Sequence, residues 1–283
     1  MRNKPVIIGI GELLWDVLPT GKKAGGAPVN FAYHASRCGA ESYAISAVGN
    51  DSLGDEILQE IQEIGIGYLI ERVDYPTGTV LVKLKAGIPD YTITEGVAWD
   101  YIPLTEEMMQ LAKRANAVCF GTLAQRSEIS RETIQAILSY VPEDAYSILD
   151  VNIRQHYYSK EIIESSLSKC NVFKINDDEL LLMKKLFNVE GENDADICLK
   201  FVETFNLKFL ILTAGAEYST IFTRDEVSHI KTPKVEVVDT VGAGDSFTGA
   251  FISSILQGET LVGAHQTAVD KAAFVCTQAG AWV

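Results

Sequence analysis

The chain has 283 residues, which is enough for one large α/β domain or for one domain with a small appendage. Hydrophobic residues make up 47% of the sequence, as expected for a protein with a large buried core. The net charge is −14 and lysines and arginines form no block, so we expect neither a nucleic acid nor an anionic membrane as partner, because both require a basic surface.

The beginning of the chain and its cysteines predict a cytoplasmic protein. Met1–Lys4 leads directly into a strand at Pro5–Ile10 without a secretory apolar region, and no apolar run reaches membrane-spanning length. The five cysteines are scattered and form no CxxC pair, which indicates reduced thiols. The four histidines lack the spacing of zinc ligands.

Short apolar or β-branched runs alternate with helical patterns in the rest of the chain. After Pro5–Ile10, the predicted strands are Tyr43–Val48, Val118–Phe120, Ser147–Val151, Val172–Ile175 and Phe209–Thr213. The predicted helices are Val29–Cys38, Leu53–Ile64, Thr105–Ala115, Arg131–Tyr140, Asp178–Phe187, Asp194–Phe205 and Ser246–Leu256. This alternation predicts an α/β fold, a mainly parallel sheet covered by helices on both faces.

Two regions interrupt the alternation. Residues 12–24 are strand-like but end in a loop rich in proline, glycine and lysine, and residues 77–102 alternate around turns at Gly87 and Pro89. We expect hairpins outside the main sheet that form a small β lid at 12–24 and 77–102. The core would then comprise residues 1–11, 25–76 and 103–283. Such a lid suits the exclusion of water from a reacting phosphate.

The sequence Gly25-Gly26-Ala-Pro-Val-Asn30 precedes a predicted helix. Glycines let a substrate approach the backbone closely, and the asparagine amide both donates and accepts hydrogen bonds toward a polyol. A tight turn with a capping asparagine is the structural alternative. Asp16, at the end of a strand-like segment, is a candidate acceptor for sugar hydroxyls, or simply a turn residue.

The sequence Asp150-Val-Asn-Ile-Arg154 closes a predicted strand and places polar residues at alternate positions. The carboxyl edge of a parallel sheet faces the ligand crevice. Arg154 is therefore a candidate partner for a phosphate or for charge that develops during its transfer, with a surface ion pair as the alternative.

Two later segments suggest contacts with a nucleotide. Asn176, followed by Glu179 three residues later, has the pattern of a helix capping box. The same residues are candidates for a nucleotide-phosphate contact and, through water, a Mg²⁺ site, and both interpretations can hold together. Thr213 and Gly215 follow a strand where a nucleotide could lie along the sheet edge, or where the chain simply turns.

The most informative motif is Asp239-Thr-Val-Gly-Ala-Gly-Asp245, directly before the last predicted helix. Its glycines permit a tight turn, and N–H groups at a helix start favour an anion. Asp245 in that first turn could accept a proton from a hydroxyl, although an acidic first turn is also ordinary capping. We expect the helix dipole to keep Asp245 ionised at neutral pH without a raised pKa.

These motifs, in this order, resemble the ribokinase-like carbohydrate kinases of the PfkB family. The resemblance runs from Val6 to Ala281, and its two signatures are Gly25–Gly39 and Asp239–Thr248. The Gly-Gly-Ala-Pro-Val-Asn sequence, the Asp-x-Asn-x-Arg sequence and Gly-Val-Ala-Trp99-Asp look most like bacterial fructokinases. The resemblance implies a ribokinase-like fold with a β lid.

The resemblance also implies roles for individual residues. Asp245 would be the catalytic base, next to an anion hole of Gly242, Ala243 and Gly244 that also contacts the nucleotide. The sugar or the transferring phosphate would contact Asp16, Gly25, Gly26, Asn30 and Arg154. ATP with Mg²⁺ would contact Asn176, Glu179, Thr213 and Gly215. The carbonyls of Asp239 and Val241 match the position where the family often binds a monovalent cation such as K⁺.

Three positions depart from the family pattern. Tyr218 stands where a nucleotide-loop glycine is common, which puts the adenine and ribose contacts in doubt. Val151 replaces a frequent proline, a change that we expect to keep the strand extended. The chain stops at Val283, soon after Gly280, which would abbreviate the outer rim of the nucleotide pocket.

The expected activity is ATP-dependent phosphorylation of a sugar primary hydroxyl, with fructose converted to fructose 6-phosphate. Alternatives are 2-keto-3-deoxygluconate, ribose or a nucleoside as acceptor, and an acid sugar would use Lys22, Lys23 or Tyr91 in or near the lid. A catalytically inactive sugar-binding regulator is an alternative from another class. The apolar lid residues Val82, Tyr91 and Ile93 could supply an outer face that needs covering, which suggests a homodimer through the lid.

Overall fold

The computed structural model describes residues 4–18, 21–85 and 88–283, without the side chains of residues 82–91. Its strands, in chain order, are β1 Val6–Ile10, β2 Leu14–Leu18, β3 Gly21–Gly25, β4 Glu41–Gly49, β5 Gly67–Val73, β6 Gly78–Lys85, β7 Ile88–Ile93, β8 Ala117–Phe120, β9 Tyr146–Asp150, β10 Val172–Asn176, β11 Phe209–Ala214, β12 Tyr218–Phe222 and β13 Val227–Lys231. Its helices are α1 Ala27–Arg37, α2 Ser52–Ile64, α3 Glu106–Ala112, α4 Glu128–Tyr140, α5 Lys160–Leu167, α6 Asp177–Phe187, α7 Asp194–Thr204, α8 Ala243–Gln257 and α9 Leu261–Cys276.

The main sheet has nine strands in the order β13-β12-β11-β10-β9-β8-β1-β4-β5. The strands from β11 to β5 in this order pair in parallel, and β12 and β13 continue the sheet as antiparallel hairpins. The expected mainly parallel sheet is therefore confirmed. The chain proceeds from β1 toward β4 and β5 and then reverses to β8, so a ligand crevice is expected outside the carboxyl ends of β1 and β8.

Helices cover both faces of the main sheet, as the sequence predicts. Alternate residues of one strand face opposite layers, because side chains alternate along a strand. On β1, Ile7 packs with Phe251 of α8 in one apolar cluster, whereas Ile8 packs in the other with residues of α4 and α7. One layer contains α1, α2, α8 and α9, and the other contains α3 to α7.

A second, four-stranded sheet has the order β3-β2-β6-β7. Strands β2 and β6 pair in parallel, and the two outer pairs are antiparallel. The predicted hairpins outside the main sheet thus exist, and the second sheet ends with β7. Val97, Ala98 and Trp99 share one apolar cluster with residues of both sheets. The domain boundaries stay a prediction.

The side chains proposed for an apolar outer face of the lid are described only in part. Ile93 is buried and lines the cleft beneath the second sheet, so its assignment to an outer face is wrong. Its strand position turns it inward, beside Val80 on the neighbouring strand. The side chains of Val82 and Tyr91 lie outside the described residues, as does the turn at Gly87.

Other differences from the predicted elements are small. Helix α1 begins two residues before Val29, with Pro28 in its first turn, where proline is tolerated. The sequence analysis did not single out β5, β12, β13, α5 or α9, which connect or flank the predicted elements. The five cysteines are free thiols. In the described part of the chain, no helix combines the length and apolar character needed to cross a bilayer.

A buried ion pair fixes the junction between the second sheet and the core. Arg126 contacts both carboxylate oxygens of Asp100 at 2.8 Å and donates to the carbonyl of Thr94, directly after β7. The side chains of Arg126 and Asp100 are 8% and 6% exposed, and the guanidinium lies 4.0 Å from the Trp99 ring centroid. The segment that leaves the second sheet is therefore held by desolvated charges.

We expect Arg126→Leu to lower the free energy of unfolding by about 3–5 kcal/mol, because it leaves the Asp100 carboxylate buried without its partner. Urea denaturation followed by circular dichroism measures this change. The matched control is Arg114→Leu, which removes a pair with Glu41 whose side chains are 51% and 42% exposed. That loss should be about 0–1 kcal/mol. Equal losses in the two variants would contradict the role of the buried pair.

Candidate active site

A cleft of about 750 Å³ opens at the carboxyl edge of the main sheet, beneath the second sheet. The segments after β1, β8 and β9 supply its floor, as the strand order predicts. Its lining includes Glu12, Leu14, Asp16, Gly26, Asn30, Val80, Ile93, Asn152, Arg154, Lys174, Thr240, Val241, Gly242, Gly244 and Asp245. The structure thus brings together most of the candidate residues from four separate sequence motifs.

Asp245 lies in the first turn of α8, where the chain enters the helix through Gly242. Its Oδ2 accepts a hydrogen bond of 2.8 Å from Nδ2 of Asn30 on α1. Oδ1 of Asn30 in turn accepts from the indole N–H of Trp282 at 2.9 Å. Since an indole nitrogen only donates, Trp282 determines which end of the Asn30 amide faces Asp245. Asn30 therefore lies inside helix α1 and orients Asp245. It is not the capping residue that the alternative interpretation predicts.

The pKa of Asp245 differs from the expectation. Burial and the nearby negative charge of Asp150 raise it to about 6, while the Asn30 hydrogen bond, Lys174 and Arg154 act in the opposite direction. The expectation of an unraised pKa is wrong because the dipole of α8 does not offset the loss of water around the carboxylate. Asp245 still remains mainly ionised at neutral pH, and a pKa near the working pH suits a general base.

The turn before Asp245 is closely packed. Gly242 has φ 79°, and a Cβ there would lie 2.9 Å from the Cβ of Ala281, so only glycine fits without displacement. The first N–H groups of α8 have no acceptor within the helix, but the N–H of Ala243 already donates to the carbonyl of Thr240 at 3.2 Å. The N–H groups after Ala243 are thus better placed than its own to bind an anion.

Lys174 is a site residue that the sequence analysis missed. It lies on β10 opposite Asp150 of β9, and its Nζ is 3.0 Å from Oδ2 of Asp150. A Cβ on Gly244 would lie 3.2 Å from the same Nζ, which places the ammonium beside the anion-binding turn. Burial lowers the pKa of Lys174, but Asp150, Glu179 and Asp245 outweigh it, and the net shift is upward. The sequence signal that could have revealed Lys174 is its position as a lysine inside an otherwise apolar predicted strand.

Gly26 and Glu12 meet where the second sheet joins the core. Gly26 has φ 133°, and a Cβ there would lie 2.1 Å from the carbonyl oxygen of Glu12. The glycine is thus required by a contact between two backbone segments, in addition to lining the cleft. Glu12 itself is 4% exposed, and sequence analysis gave it no role. A glutamate between an apolar strand and Leu13-Leu14 was the signal that could have found it.

Asp16 belongs to the part of the cleft wall that the second sheet supplies, whereas Gly25 does not line the cleft but lies beside the Asp16 carboxylate. Burial raises the pKa of Asp16, and the negative charge of Asp239 adds to this increase. The positive charges of Arg154 and Lys23 act in the opposite direction. A Cβ on Gly25 would lie 3.3 Å from Oδ2 of Asp16, so the glycine leaves room for that carboxylate. Asp16 is therefore positioned to accept hydrogen bonds from a ligand in the cleft.

The segment after β9 does not continue as a strand. β9 ends at Asp150, and the N–H of Val151 still donates to the carbonyl of Lys174 on β10 at 3.2 Å. The chain turns only at Asn152, which has φ 40°, so an extended Val151 stays a prediction. Asparagine tolerates this left-handed conformation better than most residues. The turn nevertheless directs Asn152 and Arg154 into the cleft. There Arg154 donates to the carbonyl of Ile153 at 3.1 Å.

Asn176 and Glu179 form the capping box that their spacing predicts. Asn176 accepts from the N–H of Glu179, and Glu179 accepts from the N–H groups of Asn176 and Ile153, each at 2.8 Å. Burial raises the pKa of Glu179, opposed mainly by Lys174. Both carboxylate oxygens already bind N–H groups, so Glu179 fits a magnesium site only through a metal-bound water. Within the described ranges, no three acidic, histidine or cysteine side chains cluster as metal ligands do.

Thr213 and Gly215 lie farther along the same sheet edge. Thr213 pairs with Asn176 on the neighbouring strand, and Gly215, with φ 49°, begins the turn into β12. Neither residue lines the cleft. Gly215 lies in a turn, as the alternative interpretation of this segment predicts. Tyr218 starts β12, with its ring centroid 5.0 Å from that of His229. A nucleotide role for Thr213 and Gly215 stays a prediction.

Asp239 organises the loop before the anion-binding turn. It accepts from the N–H groups of Val241 and Gly280, each at 3.1 Å. Its Oδ2 also lies 3.3 Å from Nζ of Lys23 on β3, which links the second sheet to this loop. Burial alone would raise the pKa of Asp239, but these hydrogen bonds and Lys23 lower it. A cation contact by the carbonyls of Asp239 and Val241 stays a prediction.

Comparison with known proteins assigns this geometry to a family. The sequence profile described as pfkB family carbohydrate kinase matches residues 11–282. The chain belongs to the pfkB family of carbohydrate kinases. The match spans the whole cleft, from Glu12 to the Asn30–Trp282 contact, and it establishes the chain as a sugar kinase.

Several relatives cover nearly the whole chain. An uncharacterized sugar kinase of Pyrococcus horikoshii is 27% identical over 298 residues, covering 98% of this chain and 92% of its own. Its crystal structure in complex with ATP has a TM-score of 0.84 at 26% identity, covering 98% of this chain and 94% of that one. A fructokinase of Rhizobium leguminosarum is 27% identical, covering 95% and 85%. An ATP-dependent 6-phosphofructokinase of Thermoanaerobacterium thermosaccharolyticum is 28% identical, covering 90% and 83%.

If Asp245 accepts the proton of the sugar hydroxyl, kcat/KM of this kinase should fall about tenfold per pH unit well below pH 6, because its carboxylate must be ionised to do so and its pKa is raised to about 6. Initial rates of ADP formation between pH 5 and 8 measure this limb. A limb with its midpoint near pH 4, the ordinary range of an aspartate, would contradict the effect of burial.

Trp282→Phe should move this acid limb to higher pH by up to about one unit, because the Asn30 amide is then free to turn its oxygen toward Asp245. The matched control is Trp15→Phe, which also removes an indole hydrogen bond, of 3.0 Å to the Leu53 carbonyl on α2, but none to Asn30 or Asp245. The control should keep the wild-type limb. Superimposable pH profiles for Trp282→Phe and the wild type would exclude this orienting role.

Proposed function

We propose that this kinase transfers the γ-phosphoryl group of ATP to the primary hydroxyl of fructose, giving fructose 6-phosphate. The observation that carries the proposal is the position of Asp245, a half-buried carboxylate at the N-terminus of α8 that also lines the cleft. A base and an anion-binding helix start within one turn suit the transfer of phosphate to an alcohol.

The charges of the cleft favour a neutral sugar as acceptor. Among the described cleft residues, Glu12, Asp16 and Asp245 are acidic, and Arg154 and Lys174 are basic. Lys174 is already paired with Asp150, which leaves Arg154 to serve the transferring phosphate. A carboxylate or a second phosphate on the sugar would therefore meet more negative than positive charge.

The residues suggested for an acid sugar are engaged elsewhere or undescribed. Lys22 pairs with Glu56, and Lys23 pairs with Asp239. The side chain of Tyr91 lies outside the described residues. This argues against 2-keto-3-deoxygluconate, and fructose is further supported by relatives named fructokinase at about 27% identity over nearly the whole chain. Other relatives carry other names, such as the 6-phosphofructokinase, so the sugar itself remains a proposal.

In the proposed mechanism the sugar lies between the second sheet and Asp245, where Asp16 accepts hydrogen bonds from its hydroxyls. Asp245 accepts the proton of the primary hydroxyl as the oxygen–phosphorus bond forms. The N-terminus of α8 and Arg154 stabilise the negative charge on the transferring group. Positioning and electrostatics supply most of the rate acceleration, as in other phosphoryl transfers.

Nucleotide and cations would occupy the edge next to Asn176. The ATP-bound relative supports ATP as the donor. Bound Mg²⁺ would neutralise part of the phosphate charge, and Glu179 would accept a hydrogen bond from one of its waters. K⁺ at the carbonyls of Asp239 and Val241, and a homodimer through the second sheet, stay proposals.

The test is a coupled assay of ADP formation with fructose, glucose, ribose, 2-keto-3-deoxygluconate, fructose 6-phosphate and a nucleoside. We expect the highest kcat/KM for fructose. Asp245→Asn, which keeps the size of the side chain but removes the base, should lower kcat by about 10²–10⁴-fold with little change in sugar affinity.

The control is Asp270→Asn, a substitution of an exposed aspartate on α9 outside the cleft, which should retain wild-type rates. Highest kcat/KM for another sugar would exclude fructose as the preferred acceptor. Near wild-type turnover by Asp245→Asn would exclude Asp245 as the base. Sugar binding without ADP formation in the wild type would support a regulator instead.

A further inference from the structure

Glu12 is a buried carboxyl group without a role in the mechanism above. It follows β1 directly and is 4% exposed. Backbone N–H groups of Glu12 itself and of Ala27 hold its carboxyl group in place. Its Oε2, however, has no hydrogen-bond partner in the structure. An unpartnered buried carboxyl oxygen is costly, so a function for this atom is expected.

The space next to Glu12 is a small cavity behind Asp245. It has a volume of about 10 Å³, which is close to the space that one water molecule requires. Its polar lining includes Glu12, Asp150 and Asp245, together with the hydroxyl-bearing Thr122 and Thr248. The cavity therefore connects the unpartnered carboxyl group with the catalytic base.

The polar groups around this cavity favour a water that donates its hydrogens to carboxylates. Thr122 already donates its hydroxyl hydrogen to the carbonyl of Val151 at 2.7 Å, and Thr248 donates to that of Gly244 at 3.0 Å. The carboxyl groups of Glu12 and Asp245 remain as acceptors. A water between them would satisfy Oε2 of Glu12 and link the two groups by hydrogen bonds.

The two carboxyl groups have similar proton affinities. Burial raises the pKa of Glu12 to about 7, and Asp245 reinforces this shift, while the two backbone N–H groups and Arg154 oppose it. The pKa of Asp245 is raised to about 6. The other titratable groups that face the pair are Asp150, Lys174 and the thiol of Cys119. Such a pair exchanges a proton with little loss of free energy in either direction.

We propose that Glu12 is the proton acceptor behind the catalytic base, which receives through one water in this cavity the proton that Asp245 takes from the sugar. The inference rests on the proposed role of Asp245 as base. Substrates in the cleft would cover the exposed part of Asp245, whereas the small cavity, which Asp245 also lines, gives its carboxyl group a polar neighbour in Glu12.

The relay conserves atoms and charge. The sugar oxygen bonds to the γ-phosphorus, the bond from that phosphorus to the bridging oxygen of ATP breaks, and ADP leaves with the electron pair. Asp245 holds the hydroxyl proton and donates it to the water. The water donates another of its protons to the carboxylate of Glu12, and Asp245 is again ionised. Glu12 releases the proton toward the cleft, which it also lines, after the products leave.

The test compares kcat of the wild type and of Glu12→Gln between pH 6 and 9, with fructose and ATP as substrates. Glutamine keeps the size of the side chain but accepts no proton. We expect kcat of the variant to be about 10- to 100-fold lower at pH 8, where Glu12 is ionised, with an unchanged KM for fructose. The difference should shrink below pH 7, where Glu12 of the wild type is itself protonated. Glu12→Asp should restore part of the rate at pH 8.

The matched control is Glu63→Gln on the exposed face of α2, which should follow the wild type at every pH. Equal kcat of Glu12→Gln and the wild type across the range would overturn the relay. A loss of the same factor at every pH, without rescue by Glu12→Asp, would overturn it too, because it would indicate a structural role. If Glu12→Gln does not fold, the pH profile of Glu12→Asp decides, since a relay through a shorter acid shifts the profile and a merely structural role does not.

Failure of the relay is distinguishable from failure of the proposed function. A wild type that forms no ADP with fructose contradicts the proposed function, and the relay is then measured with whichever sugar of the panel is phosphorylated. A wild type that phosphorylates fructose, with Asp245→Asn inactive and Glu12→Gln unchanged, contradicts the relay alone.

Discussion

The constraint on which the site depends is the removal of water from several charges at one edge of the sheet. Glu12, Asp150, Glu179 and Asp245 are acidic groups in this small region, and Lys174 is the buried cation among them. Desolvation alone would make such a group of carboxylates unstable. Each carboxylate has its own compensating partner. Lys174 pairs with Asp150, the Asn30 amide donates to Asp245, and backbone N–H groups donate to Glu179. The result is a carboxyl group, that of Asp245, whose pKa is raised to about 6.

The main sheet makes this arrangement possible because its strand order reverses beside β1. Carboxyl ends of parallel strands and the N-terminus of α8 meet at one edge, so residues from distant parts of the chain converge without long loops. The second sheet covers this edge and is fixed to the core by the Arg126–Asp100 pair at one end. Its contact through Lys23 and Asp239 joins the second sheet to the turn that precedes Asp245.

The sequence was most informative where local chemistry is restrictive. The glycine turn before Asp245, the capping box at Asn176 and the alternation of strands and helices each follow from short-range rules. The sequence does not predict Glu12 and Lys174 as site residues. Their place in the site depends on burial and on partners on other strands, which the spacing of residues along the chain does not reveal. The pKa of Asp245 was misjudged for the same reason, since a helix dipole is visible in sequence and desolvation is not.

The contact between Asn30 and Trp282 joins positions 252 residues apart. During synthesis on a ribosome, α1 is made long before Trp282. The amide of Asn30 would lack its fixed orientation until Trp282 has emerged and packed. A nascent polypeptide that has reached α8 but not Trp282 would thus contain Asp245 without the contact that fixes its hydrogen-bond partner, so this part of the cleft would mature after the helices that form it.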